Sequence, residues 1–91
     1  MLKSKILDLL YKNINVNNIK INDLSDKHKN HVTSNSGGHF KITIVSDDFK
    51  NKSLLIRHKK IYSILDSMLK KEIHALSLQT LTIDESNSKV K

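Results

Sequence analysis

The sequence predicts an α+β domain with element order α-β-β-α-α-β, built on a three-stranded sheet with helices packed on one face. Three observations lead there. Two stretches repeat apolar residues at helical spacing, and three shorter stretches alternate apolar with polar residues as strands do. All of them fit within 91 residues, a length that supports one modest core rather than two.

Leu2, Ile6, Leu9 and Leu10 recur at i, i+4, i+7 and i+8, with Lys3, Lys5 and Asp8 turned elsewhere, which predicts a helix over about residues 2–12. NINVNN then breaks it, since short polar side chains compete for backbone hydrogen bonds. Ile19 and Ile21 alternate with Lys20 and Asn22 in a short strand. From Ser25 to Gly38 the chain reads SDKHKNHVTSNSGG, a polar loop of a length that is often functional in a compact domain. Phe40, Ile42 and Ile44 alternate with Lys41 and Thr43, the strongest strand signal, and Val45 and Ser46 finish it.

In DDFKNKS, Asn51 suits a left-handed turn and Ser53 suits the cap of a short helix beginning at Leu54. An amphipathic helix follows: Ile61, Ile64, Leu65, Met68 and Leu69 form its apolar stripe, opposite Lys59, Lys60, Ser63, Asp66 and Lys70. Leu76 and Leu78 alternate with Ser77 and Gln79 in a third strand. The domain is expected to span 1–83, leaving DESNSKVK, residues 84–91, as a C-terminal tail that is frayed or briefly helical.

Composition narrows the chemistry. The chain has no cysteine, so it has no disulfide or thiolate nucleophile and supplies no thiolate cage of its own for iron–sulfur or zinc. Its formal charge of +7 suits phosphates or an acidic protein, although a Lys-, Asn- and Ile-rich composition also follows from nucleotide bias. No apolar run approaches the roughly 20 residues that span a bilayer, and MLKSKILDLLYK lacks the core of a secretory signal, so a cytoplasmic, non-membrane protein is expected. Asp47 and Asp48 are adjacent, a poor arrangement for a convergent acid and base, and no enzymatic constellation stands out.

The string HFKITIVSDDFKNKSLLIRHKKIYSIL followed by EIHALSLQTLT resembles the BolA family. The match comprises His39-Phe40 at a strand opening, Ser46 and Phe49 in the turn, the Arg57-His58 pair and the His74-Ala75-Leu76 run, and it extends over roughly residues 25–83. Where that family usually has glycine after Phe49, this chain has Asn51. The resemblance implies a fold similar to class II KH domains and pairing, as a monomer forming a heterodimer, with a monothiol glutaredoxin. It implies a [2Fe-2S] cluster shared with the glutaredoxin and glutathione and absent from the isolated protein, in iron–sulfur trafficking, iron or redox regulation, or a transcriptional stress response. His74 would be the primary ligand. The loop would supply a second, which the resemblance leaves between His31, the preferred one, and His28. Imidazole ligates metal only in its neutral form, so assembly is expected to weaken in acid.

Blander readings stand beside these. An isolated histidine is more often structural or exposed than a ligand, and only the HALSL context favours His74. His39 reads as structural, His58 as packing near the main helix, and Gly37-Gly38 as loop flexibility without phosphate-loop spacing. Arg57, Lys59, Lys60, Lys70 and Lys71 form a candidate docking face for a partner. The same residues on a helix-turn-helix-like outline support the alternative of a DNA-binding transcriptional regulator. The GxxG clamp of KH domains is absent, and aromatics for base stacking are scarce.

Overall fold

The first helix, α1 (Leu2–Asn13), buries Ile6 and Leu10 and ends where the Asn13 side-chain amide donates to the Leu9 carbonyl at 2.7 Å. In the computed structural model, which describes residues 2–24 and 38–88, α1 covers a sheet of three strands: β1 (Asn18–Asp23), β2 (Gly38–Val45) and β3 (Ile73–Leu81). The order is β1-β2-β3, with β1 antiparallel and β3 parallel to the central β2. That central place explains the strength of the β2 alternation. Phe40, Ile42 and Ile44 are at most 1% exposed, while Lys41 and Thr43 occupy the other face.

The β2 exit is held by local hydrogen bonds. The Ser46 hydroxyl accepts the Asp48 N–H at 3.0 Å and starts a 3₁₀ turn, Asp47–Phe49, that drives Phe49 into the core. Asn51 has φ 63°, the left-handed conformation expected of it. Ser53 caps α2 (Leu54–Ile64), its hydroxyl accepting the Ile56 N–H at 3.2 Å. Both acidic residues of the turn are structural: Asp48 accepts the Asn15 N–H at 2.9 Å and Asp47 the Ile83 N–H at 3.0 Å.

One boundary differs from the sequence reading. The helix starting at Leu54 runs through Ile61 and breaks only at Leu65 (φ −95°, ψ 11°), before the short α3 (Asp66–Leu69). The stripe survives the break because Ile61, Leu65 and Met68 all remain buried. At the C-terminal end, where the sequence leaves a tail either frayed or briefly helical, the described residues form the short helix α4 (Ile83–Ser88). Thr82 and Glu85 make a capping box: the Glu85 carboxylate accepts the Thr82 N–H at 2.9 Å, and the Thr82 hydroxyl accepts the Glu85 N–H at 3.1 Å. TIDE carries that T-x-x-E spacing, so the signal was present in the sequence.

Candidate ligand site at the end of the sheet

His74 sits at a break in register. Gly38 pairs with Ile73 and His39 with Ala75, so His74 is the extra residue of a β-bulge. Ile73 beside it is 3% exposed and packs in the core, whereas His74 is exposed. A bulge leaves one residue outside the ladder and redirects its side chain. Among the described residues the imidazole has no hydrogen-bond or ion-pair partner.

The surrounding backbone fixes this end of the sheet. Gly38 N–H donates to the Glu72 carbonyl at 2.9 Å and Leu24 N–H to the His39 carbonyl at 2.7 Å, so both flanks of segment 25–37 are held beside the bulge. Gly38 does more than relax a loop. A Cβ there would lie 2.3 Å from Cε2 of the buried Phe40 ring, so the close approach requires glycine. The Glu72 side chain is met from α1 by Lys5 Nζ at 2.6 Å. His31 and His28 lie outside the described residues. Among the described residues, no three His, Cys, Asp or Glu side chains form a metal-holding group, so His74 needs donors from elsewhere to complete a metal site.

The candidate basic residues differ in what they are free to do. Lys59 and Lys60 are exposed on α2, and Lys70 and Lys71 are exposed in the turn leading to β3. Arg57, expected among them, is 6% exposed and committed internally. Its Nε donates to the Lys52 carbonyl at 2.9 Å and its Nη1 to the Thr80 carbonyl at 3.0 Å. Nη1 and Nη2 grip the Glu85 carboxylate at 2.7 and 3.1 Å, and the guanidinium lies 5.8 Å from the centre of the Phe49 ring. The hydrogen bond from Arg57, then that from the Thr82 backbone, lowers the Glu85 carboxyl from 4.5 to about 2. Arg57 is therefore a clamp between α2, β3 and α4. His39 and His58 are both half-buried.

Known proteins decide the family. The family described as BolA-like protein matches residues 10–85. The chain belongs to the BolA-like family. An Escherichia coli relative, named a DNA-binding transcriptional regulator BolA, is 40% identical over 62 residues, covering 68% of this chain and only 59% of the relative. An uncharacterized Buchnera aphidicola protein is 39% identical over 98% of this chain and 84% of its own length. Among solved structures, the BolA domain of SufE1 from Arabidopsis thaliana superposes with a TM-score of 0.78 at 37% identity, over 90% of this chain and 92% of that one. The BolA-like fold thus accounts for the α+β arrangement. Among the described residues, no helix is long and apolar enough to cross a membrane.

Proposed function

We propose that this BolA-like protein is a non-enzymatic accessory partner of a monothiol glutaredoxin, sharing a [2Fe-2S] cluster for iron–sulfur trafficking or iron and redox regulation. The observation carrying this reading is His74: an exposed, unpartnered imidazole outside the β3 ladder, beside the flanks of the segment that contains His31 and His28. His74 would be the primary ligand and His31, or alternatively His28, the second. The glutaredoxin and glutathione would supply the thiolates that a cysteine-free chain lacks. Imidazole ligands on one iron leave the cluster less negative and raise its potential relative to an all-thiolate site.

This chain's own contribution is positioning. The bulge holds the imidazole away from the core, Gly38 leaves room for the Phe40 ring, and its N–H ties β2 to the Glu72 carbonyl just before β3. Lys70 and Lys71, a few residues before His74, place positive charge where glutathione carboxylates or an acidic partner surface would arrive. The test is a titration of this protein into glutathione-bound [2Fe-2S] glutaredoxin, followed by visible circular dichroism. A change saturating at one-to-one that His74→Ala abolishes supports the reading. An unchanged spectrum with the cluster intact and the protein folded rejects it.

A second reading, a DNA-binding regulator, is favoured by the name of the Escherichia coli relative and by exposed Lys59 and Lys60 on α2. It requires sequence-preferring affinity that falls steeply with salt. Removing one phosphate-contacting lysine should lower the log-log salt slope by about 0.9.

A further inference from the structure

The end of the sheet opposite His74 carries an apolar knob that cluster binding leaves unused. Leu54, Leu55 and Ile56 form the first turn of α2 and are 61, 64 and 52% exposed. The helical phase that buries Arg57, Ile61 and Leu65 turns Leu55 and Ile56 outward. Consecutive helical residues point about 100° apart, so these three side chains spread around more than half of the helix tip. Single exposed apolar side chains are ordinary, but a contiguous group rimmed by polar residues marks an interaction site.

Beside the knob, between α2, β3 and α4, lies a groove of about 510 Å³ lined by Leu54, Leu81, Thr80, Ser88 and the Arg57–Glu85 pair. Thr80 is 2% exposed, and its hydroxyl has no hydrogen-bond partner among the described residues. The rim is basic. Lys52, Lys59 and Lys60 are exposed and in no ion pair among the described residues. Most nearby carboxylates are engaged, Glu85 by Arg57, Asp47 by Lys50 at 3.5 Å and by Ile83 N–H, and Asp48 by Asn15, while Asp84 on α4 is exposed and in no ion pair among the described residues.

We infer that the α2 tip and its groove form a second docking surface, whose occupant is an acidic amphipathic segment of a partner protein. Its apolar side chains cover Leu55 and Ile56 and fill the groove, and its carboxylates meet Lys52, Lys59 and Lys60. An apolar centre inside a charged rim is the ordinary anatomy of a protein interface, and helix-in-groove is the mode that uses both knob and cavity. A bilayer would use the knob but has no need of the groove. A nucleic acid would use the lysines but leave the leucines wet. Strands rise about 3.3 Å per residue, so Thr80 at this end lies roughly 20 Å from His74, and both surfaces can be occupied together.

The test replaces Leu55 in the full chain with the photo-crosslinker p-benzoylphenylalanine, in the cells that make the protein, with Lys20 on the open sheet face as the control position. The expected result is a discrete adduct from position 55 and not from 20, with the crosslink mapped by mass spectrometry to a net-acidic segment. A synthetic peptide of that segment should bind the purified protein. Its affinity should fall at least tenfold for Leu55→Ser with Ile56→Ser, fall at least tenfold for Lys59→Glu with Lys60→Glu, and stay unchanged for His74→Ala. Both double variants replace exposed side chains, and unchanged circular dichroism and melting temperature verify that they fold. Adducts with lipid or DNA alone, no adduct above the control, a segment without net acidic charge, or a peptide indifferent to both double variants would each overturn the inference.

Discussion

At the C-terminal end of β3 a buried guanidinium gathers two backbone carbonyls and a carboxylate, fastening α2, β3 and α4 together. At the N-terminal end of the same strand, a bulge puts an imidazole into solvent with no partner among the described residues. Both positions carry a polar ring or fork that sequence alone offers as a ligand or contact. The difference lies in what the surroundings already satisfy: Arg57 is spent on the fold, and His74 is left unengaged by it among the described residues. A positively charged residue in a recognisable motif is thus weak evidence for a binding role until its hydrogen bonds have been accounted for.

The contrast breaks most visibly at Arg57. Arg57→Ala strands the Thr80 and Lys52 carbonyls, and hydrogen bonds to charged groups contribute about 1.5–3 kcal/mol each, so a loss on the order of 3 kcal/mol is expected from urea denaturation. A loss below about 1 kcal/mol would contradict the clamp. Gly38→Ala comes next, at about 2 kcal/mol, because the added methyl meets a buried Phe40 ring that has nowhere to move. If that variant also perturbs His74 resonances in NMR spectra, the two strands position the imidazole jointly.

Glu85→Gln tests the same clamp through pH. The folded carboxyl, at about 2, titrates below its ordinary 4.5, so between those values the unfolded chain binds more protons than the folded one. The stability from Glu85 is therefore complete above about 4.5 and lost as pH falls towards about 2. Denaturation curves of wild type and Glu85→Gln should differ at neutral pH and converge across that window; a constant gap down to pH 2 would mean that the carboxylate is not what the guanidinium holds. The smallest effect belongs to the exposed Lys5–Glu72 pair, where Lys5→Ala should cost within about 0.5 kcal/mol and less in high salt. His74→Ala should likewise leave the denaturation midpoint nearly unmoved while removing the proposed shared cluster.

Most of the fold was legible because its elements obey single periods. The α1 stripe, the β2 alternation, the Ser53 cap and the left-handed Asn51 all appear where spacing and side-chain chemistry put them. The break at Leu65 was not, since a stripe that keeps phase across a kink conceals it. Helix α4 was legible only as an alternative to fraying although its capping box is in the sequence, because its stabilisation comes from Arg57 far upstream and not from an apolar face of its own. For the candidate site, the resemblance singled out His74, but the bulge arises from pairing between distant strands, and the need for Gly38 from how the Phe40 ring folds back over the same strand. His31 and His28 remain expectations from the resemblance.

The reach of the Arg57 clamp also bears on how the chain is made. Its partners lie 23 and 28 residues downstream, at Thr80 and Glu85, and β2 lacks its parallel neighbour until β3 has followed α2 and α3. At ribosomal speeds of about 5–20 residues per second, the gap from Arg57 to Glu85 lasts roughly 1–6 s. During that interval one edge of the central strand stands open and a guanidinium destined for burial is still hydrated. Phe40, Ile42 and Ile44 therefore cannot complete their burial in the finished sheet until β3 has been made.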